Sequence, residues 1–176
     1  QGLSDAGVAG VMGNMFAESG LNSQNLQNFY EKKLGYTDAS YTKAVDNGIY
    51  RNFAFDKAGY GLCQWTYSTR KEALLAFAKT CGTSIGDAEM QLKFFVKELR
   101  EGYPAVLSVL KNATTVREAS DAVLLKFERP ADQSEAVRAK RAAYGQAYYN
   151  TLTGKETTMF TNSPLVSYTR ISPNKT

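Results

Sequence analysis

The sequence predicts a mainly α domain, in which a central buried helix is enclosed by others and a small irregular or β-containing lobe sits beside them. Three observations carry that expectation. Apolar residues recur at helical spacing from Ser4 to Leu152. Several kinds of helix-start signal precede those runs. One long stretch, Leu21 to Thr66, breaks the pattern with Asn, Gly, Ser and Tyr among short pieces. A chain of 176 residues with 43% apolar and 22% charged content fits one globular domain able to bury a real core.

The first helix starts at Ser4, a suitable N-cap, and carries Val8, Val11, Met12, Met15 and Phe16 on one stripe expected to be buried. Gly7, Gly10 and Gly13 each cost helix propensity, roughly 1 kcal/mol. They also leave a side bare of side chains, where another helix can come close, so this helix is expected to be central. Gly20 supplies the left-handed residue that ends it, which places Glu18 in the last turn. Brief helices are expected at Tyr30 to Leu34 and Ala39 to Val45, and a small extended or hairpin-like element at Arg51 to Asp56.

Capping boxes at Thr69 with Glu72 and Thr115 with Glu118 open two further helices, the second running through Phe127. Asp87 opens another that carries Met90, Leu92, Phe94, Phe95 and Leu99. Pro104 fits the first turn of a short helix through Leu110, and Asp132 with Glu135 opens the last long one. The domain is therefore placed at residues 1–152. Residues 153–176 lose the helical period and read as a linker.

No histidine occurs in the chain. Ser-His-Asp and Cys-His hydrolysis lose their usual base, and zinc chemistry on His-rich ligands is removed with them. Cys63 and Cys81 form no CxxC pattern; a single bridge between them stays open. No metal or cofactor is expected, so carboxylates must move the protons of any hydrolysis. Glu18 is the leading candidate, because the negative end of the helix dipole and partial burial both disfavour its charged form, as a general acid at neutral pH requires. The net charge of +4 suits polyanionic surroundings. Lys32-Lys33 and the run Arg138 to Arg141 lack an aromatic platform or reading motif and are read as solvated helix faces, so no nucleic-acid partner is expected. No segment approaches the roughly 20 apolar residues of a membrane span, and the first residues lack the order of a signal peptide.

Two motifs resemble a known family. Gly10-Val-Met-Gly-Asn-Met-Phe-Ala-Glu18-Ser-Gly-Leu-Asn22, followed by Ala58-Gly-Tyr-Gly-Leu-Cys-Gln64-Trp65, is similar to the lysozyme-like domain of phage tail lysins and endolysins. That family is similar in turn to goose-type lysozymes and lytic transglycosylases. The resemblance implies a lysozyme-like fold, cleavage of the glycan strands of peptidoglycan, a phage or prophage origin with action at the bacterial wall, and Glu18 as catalytic acid. Phe127-Glu128-Arg129-Pro130 belongs to the same resemblance and makes Glu128 a cleft-lining candidate. The stretch from Ser163-Pro164 to Pro173-Asn174 is similar to the lead-in before amidase domains of modular lysins, which implies a further, amidase-like partner domain.

Cleaving a glycosidic bond needs a proton for the leaving oxygen and a negative group or activated water on the other face of the sugar. Asp56, three residues before Gly59 in the irregular segment, is the favoured base or electrostatic partner, with Asp38, Asp46 and Glu128 behind it. A scheme without a second carboxylate, in which the sugar's own 6-hydroxyl attacks, stays open as a transglycosylase alternative. Tyr60 and Trp65 offer rings for sugar stacking, Trp65 equally a core residue. Gln64 offers an amide for an N-acetyl group. The glycines flanking Tyr60 permit close approach to a ligand. Cys63 reads as buried packing. A wall-binding or structural tail module without chemistry is the alternative of another class.

Overall fold

The computed structural model describes residues 2–155. Most of the expected linker 153–176, and the whole amidase-like lead-in, lie outside the described residues. Eight α-helices and one π-helical segment are found among them: α1 (Asp5–Ser19), α2 (Asn28–Leu34), α3 (Asp38–Asp46), α4 (Ser68–Cys81), α5 (Ala88–Gly102), α6 (Pro104–Asn112), α7 (Val116–Ala122), the π segment (Val123–Glu128) and α8 (Glu135–Leu152). The mainly α, lysozyme-like class is as expected.

Helix α1 begins where expected, with the Ser4 hydroxyl accepting from the Gly7 amide at 3.0 Å, and ends on Gly20 at φ 62°. Its glycines are the reason it is central. A Cβ on Gly7 would stand 2.0 Å from the Leu110 carbonyl oxygen at the end of α6, one on Gly10 2.6 Å from the Ala119 Cβ of α7, and one on Gly13 2.5 Å from Arg141 and Gly145 backbone atoms of α8. Gly145 answers from the other side, because a Cβ there would stand 2.7 Å from the Ala9 carbonyl oxygen. Three helices therefore approach α1 to backbone contact. The expected burial holds in part: Val11 and Met15 of the apolar stripe are interior, but the most tightly sealed side is that of Ala6, Ala9 and the glycines, and Val8, Met12 and Phe16 are only half-buried. Gly13→Ala is expected to cost roughly 1–3 kcal/mol through overpacking, seen as a melting temperature lower by several degrees. An unchanged melting temperature would contradict the α1–α8 contact.

Other starts follow the chemistry with local changes. Asp87 and Thr115 cap their helices, accepting from the Met90 and Glu118 amides at 2.7 and 3.2 Å, and Pro104 occupies the first turn of α6. The Thr69 box is a correction: α4 starts at Ser68 after Tyr67, which makes no side-chain cap. Asp132 is another, since it bonds the Ser134 amide at 2.9 Å and Ser134 is the cap of α8. The helix expected to run through Phe127 turns from α to π at Val123.

The lobe between α1 and α4 holds α2, α3 and irregular chain. The expected extended element at Arg51 to Asp56 is instead a run of turns. The reason is burial: Phe53 and Ala54 are both interior, which a strand with period-two alternation does not allow. The lobe's only β contacts among the described residues are isolated antiparallel bridges, Leu26 with Tyr60 and Tyr60 with Trp65. Its core is aromatic, with Tyr41, Phe53 and Tyr60 in mutual ring contact. No helix of the described residues is long and apolar enough to cross a membrane.

Candidate active site

The end of α1, the end of the π segment and the middle of α8 converge on one guanidinium. Arg141 of α8 donates through Nη2 to Glu18 Oε1 at 2.5 Å and through Nη1 to Glu128 Oε2 at 2.5 Å. Nη1 also reaches Asn14 Oδ1 at 3.2 Å. Asn14, one turn before Glu18 on α1, is itself fixed, donating to the Gly10 and Ser120 carbonyls at 2.9 and 3.1 Å. The close α1–α8 packing at Gly13 and Gly145 sets this distance. Glu128 ends the π segment, which closes on Arg129 at φ 52° with the Arg129 amide donating to the Leu124 carbonyl.

Both carboxyls line a groove of about 530 Å³. Gln27, Gly59 and Gln64 contribute from the lobe, Thr66, Tyr67 and Arg70 from the entry to α4. Glu18 is the more accessible acid, with its side chain 21% exposed against 5% for Glu128. Burial, and then the neighbouring charge of Glu18, push the Glu128 carboxyl up to about 8, against the pull of Arg141 and Arg70. Its Oε1 is sealed from solvent without a hydrogen-bond partner. Arg70 is clamped by Glu98, Nε to Oε1 at 2.6 Å and Nη2 to Oε2 at 2.7 Å, with its guanidinium over the Phe127 ring. Cys63, also on the groove, is a free thiol held well above its ordinary range by burial and by Glu128; Cys81 is free and exposed. Among the described residues no group of three His, Cys, Asp or Glu side chains is placed to hold a metal ion.

A family model for the phage tail lysozyme matches residues 1–152. The chain belongs to the phage tail lysozyme family. No curated protein matches it. Membership gives the chain a peptidoglycan-degrading role of lysozyme type, and fits a phage-encoded protein that acts on the cell wall.

Of the candidate site residues singled out in the sequence, Glu18, Gln64 and Glu128 meet at the groove. Gln64 sits at φ 47°, and its Nε2 is held by Asn25 Oδ1 at 2.9 Å. Tyr60 and Trp65 do not reach the groove. Tyr60 is interior, its hydroxyl 2.6 Å from the Thr42 hydroxyl, and Trp65 is interior with its Nε1 donating to Glu98 Oε2 at 2.8 Å. The glycines beside Tyr60 make room for protein: a Cβ on Gly59 would stand 2.6 Å from Gln64 Oε1, and one on Gly61 2.6 Å from Gln91 Oε1.

Asp56 is placed inside the lobe and does not line the groove. Its Oδ1 accepts from Lys71 Nζ at 2.6 Å and from the Ala58 amide at 2.9 Å, while Oδ2 accepts from the Tyr41 and Tyr50 hydroxyls. Asp38 and Asp46 are likewise taken up by chain organisation, accepting from the Leu26 and Ile85 amides at 2.8 and 2.9 Å.

Arg141 and Tyr67 were not foreseen. Arg141 is buried, which corrects the reading of its run as a solvated face; Arg138, nearby, pairs with Asp121. A signal was present, because Gly145 lies one helical turn further on and marks the face of α8 that meets α1. Tyr67, 73% exposed, is the aromatic ring the groove does offer.

Proposed function

We propose that the chain is a muramidase. It cleaves the β-1,4 bond between N-acetylmuramic acid and N-acetylglucosamine in peptidoglycan strands, with Glu18 protonating the leaving oxygen. The observation that supports this best is the partly accessible carboxyl of Glu18, held by Arg141 at the wall of a groove of about 530 Å³. Gln64 borders the same groove and is suited to an N-acetyl group.

One observation favours lytic transglycosylase chemistry with the same acid. The acidic residues lining the groove, Glu18 and Glu128, are tied to one guanidinium, so they do not stand on opposite faces of a sugar ring. The separation of about 5–9.5 Å used by paired glycosidase carboxyls lies across the substrate. Attack by the sugar's 6-hydroxyl needs no such partner. Mass spectrometry of muropeptides released from purified walls separates the two: reducing ends mean hydrolysis, anhydro ends mean intramolecular attack. Wall binding with no soluble glycan released would defeat both and leave a structural tail module.

Tyr67 in this scheme stacks on a sugar ring. An aromatic contact of that kind contributes roughly 0.5–1.5 kcal/mol. Tyr67→Ala is therefore expected to raise KM for soluble glycan oligomers by roughly 2- to 10-fold with kcat nearly unchanged. An unaltered KM would remove Tyr67 from the subsite.

A further inference from the structure

The charges around Glu128 do not balance if both carboxyls at the groove are ionised. Four neighbouring groups bear on it: Glu18 from α1, Arg141 from α8, Arg70 from α4 and the Cys63 thiol from the loop between. Cys63 is held in its neutral form, and the charge of Arg70 is answered by the two-point clamp of Glu98. Arg141 is left to answer both Glu18 and Glu128 with one positive charge. Two like charges sharing one cation in a poorly solvated site do not both ionise near neutrality. Glu128 Oε1 tells the same story: a sealed, ionised oxygen without a donor is costly, whereas the same atom carrying a proton becomes a donor toward the adjacent Glu18.

Granted that Glu18 is the acid, on which this rests, we propose that Glu18 and Glu128 share a single proton, that this is the proton delivered to the glycosidic oxygen, and that Arg141 is the positioning residue that keeps the pair together. In the step itself the Glu18 O–H bond breaks, a new O–H bond forms on the leaving oxygen, and the bond from that oxygen to the anomeric carbon breaks. Its electron pair stays with the oxygen. The carboxyl pair is left doubly ionised beside Arg141. It regains its proton from the nucleophile, either water or the sugar's 6-hydroxyl, as that oxygen bonds to the anomeric carbon. Glu18, the more accessible member, faces substrate, and Glu128, the buried one, holds the proton between turnovers.

The test is the pH dependence of kcat/KM for soluble glycan release by the full chain and by E18Q, E128Q and R141K. Wild-type activity is expected to persist through neutrality and fall as pH rises through about 8, where the shared proton is lost. E128Q removes the neighbouring charge, so its alkaline fall moves to the acid side by about one pH unit or more, while activity in mild acid survives. An alkaline limb unmoved in folded E128Q overturns the sharing. R141K keeps the charge but cannot span both carboxyls, and is expected to lower kcat by roughly 10- to 100-fold with KM little changed; an unchanged kcat overturns the positioning role. Carbon-13 NMR of the glutamate carboxyls in the wild-type protein serves should E128Q not fold. One carboxyl titrating near 8 supports the pair, and completion of every titration below pH 6 overturns it. E18Q that still cleaves walls defeats the acid assignment itself, whereas an inactive E18Q with an unmoved E128Q limb defeats only the sharing.

Discussion

Glu18→Gln is expected to reduce the release of soluble glycan from purified walls by a factor of roughly 10²–10⁴, the usual worth of a positioned general acid. The substitution nearly preserves shape, and the amide oxygen of Gln can still accept from Arg141 Nη2, which now makes that contact at 2.5 Å. Helix α1 keeps its Ser4 cap, its Gly20 terminus and its glycine contacts, none of which involve residue 18. What disappears is the transferable proton. Loss of one negative charge also leaves Arg141 and Glu128 as a simple pair, so the fold has no reason to weaken. Turbidity loss of wall suspensions, read beside thermal melting, separates the two effects. Lysis at the wild-type rate by a folded E18Q protein would rule Glu18 out, and a parallel collapse of melting temperature would show that its role is structural.

Local chemistry made α1 legible. A Ser cap, a Gly terminus and three glycines at a spacing of three fix where the helix starts, where it stops and that other helices touch it. They do not say which helices, because Leu110, Ala119 and Gly145 belong to segments remote in sequence. The same limit governs the site. Glu18 is found from its helix-end position and the family motif, but its partner Arg141 stands 123 residues away. A charged residue is read as exposed by default, and nothing in the Arg138 to Arg141 run announces burial except the glycine one turn beyond. Tyr60 and Trp65 failed as stacking residues for a related reason: flat rings suit a sugar or a core equally well, and only tertiary packing decides. The π turn before Glu128 is also unreadable, because Val123 to Phe127 is apolar enough to continue an α-helix.

Asp56→Asn is expected to lose stability and to spare the chemistry. Asp56 and Lys71 have side chains 1% and 0% exposed, so removing one partner strands the other in a dry interior. Breaking a buried pair in this way costs about 3–5 kcal/mol, on the order of 10 °C in melting temperature for a domain of this size. Burial already lowers the pKa of Lys71, and the Asp56 charge opposes that shift. With the opposition gone, the ammonium is disfavoured further in the folded state, which then binds fewer protons than the unfolded chain. Stability of D56N should therefore rise with pH toward the ordinary lysine range near 10.4, and fall as pH is lowered. Replacing both residues by apolar ones of similar volume, as in Asp56→Leu with Lys71→Met, should recover much of the loss, although the hydroxyls of Tyr41 and Tyr50 then need another acceptor. A catalytic base predicts the opposite pattern: an intact melting temperature with kcat down by roughly 10²–10⁴. Differential scanning calorimetry, with glycan release measured well below the transition, decides between a lobe held together by Asp56 and a groove that depends on it.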